Sequence, residues 1–119
     1  MAHSVLIVDD DAAFRDLASR VVTAWGHTVV GLAGSVAEAL TQAGESRPDT
    51  ALVDIGLPDG DGFALTERLV ALPWPIRVVL ISSDSDSSNA TAAKRVGAWG
   101  FVPKDELSSA ELRRWLERG

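Results

Sequence analysis

Five residues of this sequence have the types and spacing to do chemistry together. Asp9 and Asp10 follow the run VLIV, Asp54 follows TALV, Ser82 follows VVLI, and Lys104 follows FVP. Each closes a short apolar run, where a rigid strand places a side chain and the loop after it exposes that chain. Three carboxylates brought together repel one another, and a hard divalent cation bound by oxygen ligands relieves the repulsion. Mg²⁺ suits such a donor set best. A carboxylate beside that cation and an ammonium can attack a phosphoryl group, because the two positive charges spread over its equatorial oxygens. A hydroxyl at position 82 would then bond a phosphoryl oxygen, a contact made only after modification. Each residue also has a plainer reading. Asp54 could bond only its own turn, Asp9 and Asp10 could favour a helix dipole, and Ser82 and Lys104 could be ordinary strand-end and surface residues.

The elements that must position these residues alternate along the chain. Val5 to Val8 is a continuous aliphatic run, the pattern of a strand buried on both faces. Phe14, Leu17, Ala18, Val21 and Trp25 then recur at helical spacing, with Asp11 as the expected cap and Gly26 as the stop. Thr28 to Val30 predicts a second strand. A capping-box pair, Ser35 and Glu38, opens a helix running towards Gly44. Thr50 to Val53 is the third strand, with Asp54 at its exit, where Pro58, Gly60 and Gly62 make continuation improbable. A helix follows over Phe63 to Leu72. Val78 to Ile81, the helix from about Asn89 to Val96, and Trp99 to Val102 continue the alternation. Ser108 with Glu111, and Leu107 with Leu112, predict a capping box and a hydrophobic staple on a last helix. Trp25, Trp74 and Trp115 read as packing residues.

Strands alternating with helices call for a parallel α/β sheet covered on both faces. In the order 2-1-3-4-5, strands one and three are neighbours at the point where ligands bind outside the carboxyl ends. All five chemical residues then converge at one edge, and five separate plain explanations become hard to sustain.

The 119 residues fit one domain, spanning 1–119, with 46% hydrophobic and 24% charged residues. No apolar run approaches the roughly 20 residues of a spanning helix. The acidic triplet arrives before any signal-peptide core develops, which predicts a cytoplasmic protein. KDEL at Lys104 to Leu107 is internal and carries no retention meaning. A net charge of −6 argues against direct nucleic-acid binding by this domain. His3 and His27 lie away from the converging edge and have no Ser or Cys partner that would suggest a triad.

The motifs VLIVDDD, LVDIGLPDGDG, VVLISS and GFVPK resemble the receiver domains of two-component response regulators, and the resemblance covers the whole chain. It implies a flavodoxin-like fold and a phosphorylation switch, not an enzyme, with only incidental self-phosphorylating and self-dephosphorylating activity. It implies Asp54 as acceptor from a sensor histidine kinase or phosphotransfer protein. Asp9, Asp10, Asp54 and the Gly56 carbonyl would be the Mg²⁺ ligands, and Ser82, Ser83 and Lys104 the phosphoryl-binding set. Phe101 would be the switch aromatic, and Trp99 would lie on an output face of the fourth helix, fifth strand and fifth helix. That face would serve an output domain, a protein target or a phosphorylation-dependent homodimer. GFVPKDELS somewhat resembles receivers joined to helix-turn-helix output domains.

The sequence departs from the family pattern at several positions. Ser replaces the commoner Thr at 82, Phe101 stands where Tyr is frequent, and Ser83 takes a position usually given to Ala. Gly56 and Asp84 occupy positions tied to the lifetime of the acyl phosphate. Three alternatives compete: a phosphorylation-independent interaction module, a Mg²⁺ phosphohydrolase, and a flavin carrier. The phosphohydrolase lacks a second Asp two residues after Asp54, and the flavin carrier is disfavoured because DDDAAF is acidic and Gly-free.

Overall fold

The computed structural model describes residues 3–83, 87–107 and 110–117. The parallel sheet consists of β1 (Ser4–Val8), β2 (Thr28–Ala33), β3 (Thr50–Asp54), β4 (Arg77–Ser82) and β5 (Gly100–Pro103). Their spatial order is β2-β1-β3-β4-β5, which is the expected 2-1-3-4-5 arrangement, and every neighbouring pair is parallel. The helices are α1 (Ala12–Ala24), α2 (Val36–Ser46), α3 (Gly62–Val70), α4 (Ser87–Arg95) and α5 (Ala110–Glu117). A single 3₁₀ turn, Lys104–Glu106, separates β5 from α5.

Alternation along the strands divides the core into two layers. Leu6, Val8, Ala51, Val53, Val78 and Leu80 face α2, α3 and α4, meeting Ala39, Ala43, Leu65, Leu69 and Ala93. Val5, Ile7, Leu52, Val79, Ile81 and Val102 face α1 and α5, meeting Ala18, Val22, Leu112 and Leu116. This is why the strands read as unbroken apolar runs: both faces are covered. Each fully buried Val, Leu or Ile contributes about 1.5–3 kcal/mol relative to an exposed one.

Helix ends follow local chemistry. The Asp11 carboxylate accepts from Ala13 N at 3.0 Å and caps α1, and Gly26 adopts φ +91° just past its end. Ser35 Oγ accepts from Glu38 N at 3.1 Å, as a capping box requires. The return bond goes one residue further out, from Gly34 N to Glu38 Oε1 at 2.9 Å. The expected stop near Gly44 is corrected, since α2 runs through it to Ser46 and ends on Arg47 at φ 45°. Pro48, which has no N–H to donate, follows. The Arg47 guanidinium lies 5.1 Å from the centre of the Trp74 ring, so Trp74 packs on a cation and not in either core layer. Leu107 and Leu112 are both buried in the α1/α5 layer. Ser108, and with it the expected capping box on α5, lies outside the described residues, as does Asp84.

Candidate functional site at the carboxyl edge of the sheet

β1 and β3 lie side by side, with Val8 opposite Val53, so the residues that follow them emerge together. Asp9 is fully buried, Asp54 is 7% exposed as the last residue of β3, and Asp10 is exposed. A carboxylate oxygen from each of the three lies within 4.8 Å of the other two. Several bonds fix Asp9. Its N–H donates to Ala33 O at 2.9 Å, its carbonyl accepts from Arg15 Nη1 at 2.6 Å, and its Oδ1 accepts from Asp11 N at 2.9 Å.

Lys104 enters from the end of β5. Its Nζ stands 2.7 Å from Asp9 Oδ2, 3.4 Å from Asp54 Oδ2 and 4.5 Å from the centre of the Phe14 ring. Apart from this ion pair with Lys104, buried Asp9 Oδ2 has no partner among the described residues. Burial works to lower the lysine's pKa. The contact with Asp9 and the charges of Asp54 and Asp9 outweigh it, so the ammonium is held above the ordinary lysine value.

Asp54 is pushed the other way from a normal carboxylate. Burial first, and the charge of Asp9 second, raise its pKa, against the pull of Lys104 and of the Gly56 N–H that bonds it. One ammonium therefore faces three crowded carboxyl groups. A buried carboxylate oxygen whose one close partner among the described residues is Lys104, together with an all-oxygen donor set, fits a small hard cation such as Mg²⁺, which Asp9, Asp10 and Asp54 could hold.

The remaining predicted residues divide between the two ends of the sheet, with Ser82 and Ser83 at the carboxyl edge and Trp99 at the amino end of β5. Ser82 ends β4 and is buried, one residue past Ile81, the register partner of Asp54, while Ser83 is exposed. Gly56 is exposed and stands two residues after Asp54, in the first arm of the Gly56–Leu57 and Gly60–Asp61 hairpin. Phe101 is half-buried against the layer facing α2, α3 and α4. Trp99 precedes β5, is 40% exposed, and meets Trp115 of α5 edge-on at 6.0 Å. Ala90 and Lys94 of α4, with Trp99, Gly100, Phe101 and Trp115, line an apolar groove of about 160 Å³. The Arg77 guanidinium lies over the Trp99 ring, 4.9 Å from its centre.

Three supporting residues escaped the sequence reading. Arg15 binds the Asp9 carbonyl from six residues on, a spacing no linear motif marks. Gly62 packs so tightly that a Cβ would meet the Asp54 carbonyl oxygen at 2.4 Å and Ile55 Cα at 2.9 Å. The repeated Gly in PDGDG was a signal for such close approach. Asp59 bonds two amides more than twenty residues away, which only the fold reveals.

The profile of the response regulator receiver domain family matches residues 5–117. The chain is 36% identical over 114 residues to the DNA-binding transcriptional activator DevR/DosR of Mycobacterium tuberculosis, covering 96% of this chain and 52% of that protein. It is 32% identical over 119 residues to the acid tolerance regulatory protein ActR of Rhizobium meliloti, covering 97% and 61% respectively. The chain thus spans about half the length of the curated relatives it matches. The signal receiver domain of NarL from Mycobacterium tuberculosis superposes with a TM-score of 0.86 at 32% identity, covering 98% of both chains. With the fold, the pocket and these matches in agreement, the chain belongs to the receiver domain family of two-component response regulators.

Proposed function

We propose that Asp54 is the phosphoryl acceptor of this receiver. The observation that carries the reading is its placement: a buried carboxylate at the end of β3, flanked by two further carboxylates and reached by Lys104. An Asp54 oxygen forms the new P–O bond while the P–N bond of a donor phosphohistidine breaks. The electron pair returns to the imidazole, which takes up a proton. A sensor histidine kinase or a phosphotransfer protein supplies that donor, and a small acyl phosphate can replace it. Asp9, Asp10 and Asp54, with the Gly56 carbonyl, hold Mg²⁺. When bound, the cation supplies charge neutralisation for the incoming phosphoryl oxygens. Asp9 and Asp10 draw the cation in. Lys104 pairs with a phosphoryl oxygen, and the Ser82 hydroxyl bonds another, with the exposed Ser83 next in the chain joining the phosphoryl-binding set. Water later attacks the acyl phosphate and releases inorganic phosphate, so the activity is incidental to a switch.

Movement of Ser82 towards the phosphoryl group opens space for Phe101, and the change reaches Trp99 and the groove between α4, β5 and α5. Phe101 lacks the hydroxyl that would hold a Tyr near water. Its half-buried position supports a small gap between the two states. The groove then serves an output domain, a cytoplasmic protein target or a second copy. The test is intact mass after incubation with Mg²⁺ and acetyl phosphate. Wild type gains one labile phosphoryl group, and an equal gain in Asp54→Asn would overturn the assignment.

A further inference from the structure

The loop after Asp54 is fastened at its tip. Gly56–Leu57 and Gly60–Asp61 pair antiparallel, and Pro58 and Asp59 turn between them. From that turn Asp59 Oδ1 accepts from Val36 N at 2.7 Å and Oδ2 accepts from Ala37 N at 3.1 Å. Both amides belong to the first turn of α2, whose N–H groups have no partner within the helix. The next amide, Glu38 N, is taken by Ser35 Oγ, so two separate side chains divide the work of capping one helix. Gly60 lies against the same turn, since a Cβ there would stand 3.2 Å from Val36 Cγ2. The foot of the hairpin is fixed as well: Gly62 N donates to Ile55 O at 2.7 Å, and Asp61 Oδ1 accepts from Ala64 N at 2.7 Å. Between tip and foot only a two-residue ladder holds the arm that carries Gly56, and so short a pairing is marginal by itself.

We propose that Asp59 is a positioning residue for the acidic pocket: by pinning the hairpin tip to the N-terminus of α2, it fixes the strand that carries Gly56, two residues after Asp54, beside the pocket. The clamp uses both oxygens of one carboxylate on two successive amides, which fixes direction as well as distance. Its two backbone bonds hold the Asp59 carboxyl below the usual carboxylate range, so the clamp stays charged through neutral pH. Helix α2 is thereby tied to the pocket, although it contributes no residue to it. The proposal deepens the acceptor reading of Asp54, and its test does not depend on phosphoryl transfer.

The test compares Asp59→Ala, Asp59→Asn and Ser35→Ala by amide-resolved NMR, without metal and during titration with MgCl₂. Asp59→Ala moves the Gly56 amide resonance in the metal-free protein and weakens Mg²⁺ binding about tenfold, the low end of what losing support around a metal ligand costs. Asp59→Asn keeps one acceptor oxygen and recovers part of both effects. It also stands in should Asp59→Ala fail to fold. Ser35→Ala removes the other cap of the same helix, lowers Tm comparably, and leaves Gly56 and Mg²⁺ affinity as in wild type. A wild-type Gly56 resonance and Mg²⁺ affinity in Asp59→Ala would overturn the proposal. So would equal losses in Ser35→Ala, which would make Asp59 only a helix cap. If wild type took up no phosphoryl group, the acceptor reading would fall, while the Gly56 resonance would still decide the role of Asp59.

Discussion

The two ends of the sheet both bury polar groups, and they settle them in opposite ways. At the carboxyl end, Asp9 and Asp54 are buried with Asp10 beside them, and Lys104 is the one ammonium in the pocket among the described residues. At the amino end, His3 N donates to His27 Nδ1 at 3.1 Å, the two rings stack at 5.5 Å, and Asp49 Oδ2 lies 3.5 Å from His3 Nδ1. His27 answers burial by giving up its proton: desolvation first, and His3 second, lower its pKa from 6.5. At one end burial favours the neutral imidazole, and at the other three carboxyl groups crowd around one ammonium. Crowding of like charge at the carboxyl end is of the kind that a bound cation would relieve.

The largest effect should come from removing the crowded carboxylate at position 54. Asp54→Asn should abolish labile phosphoryl uptake by mass, and without metal it should melt a few degrees higher than wild type at neutral pH. The sign follows from a raised folded pKa. The ionised Asp54 is disfavoured in the fold, so its penalty is full above that pKa and disappears as pH falls below 3.8. A fall of several degrees in the metal-free variant would make the carboxylate structural. Asp10→Ala should weaken Mg²⁺ binding at least about tenfold, by titration calorimetry, because loss of a direct ligand exceeds loss of outer support. In the absence of metal its melting temperature should be equal to wild type or higher.

Crowding of backbone, not charge, sets the third effect. Gly62→Ala should destabilise by about 1–3 kcal/mol in urea melts, since the new Cβ meets the main chain of Asp54 and Ile55 and not a flexible side chain. At the amino end, wild-type stability should fall as pH drops through 6.5 and level off below the lowered folded pKa, because the unfolded chain binds the proton first. His27→Asn offers an oxygen in place of Nδ1 and should flatten that slope in melts between pH 7 and 5. The smallest effect is spectroscopic: beryllofluoride with Mg²⁺ should shift Trp99 fluorescence and the amides of Phe101 and α5. Shifts confined to the acidic pocket would sink the coupling.

Much of this was legible in the sequence, and the legible parts share a cause. Val5 to Val8 and Thr50 to Val53 read as buried strands because helices cover both faces, and that periodicity is local. Asp9, Asp54, Ser82 and Lys104 were legible because each follows such a run. Strand ends were short by a residue or more, as with β2, expected to stop at Val30 and observed to reach Ala33, because pairing with β1 extends it. The end of α2 was misplaced because Gly44 marks a stop only when the surroundings need one. Arg47 with Pro48 and Trp74 supplied it instead. Asp59 and Arg15 were hidden for a different reason: their backbone partners lie 22 or 23 and 6 residues away, at spacings no motif marks, whereas those of the caps Asp11 and Ser35 lie two and three residues on.

Lys104 also governs how the pocket meets its surroundings. Lys104 is a counterion on a tether, held by β5 at 2.7 Å from one carboxylate and 3.4 Å from another. Its local concentration is set by the chain and not by the buffer, as for any linked binding partner. A dissolved cation entering this pocket therefore competes against a resident whose supply cannot be diluted.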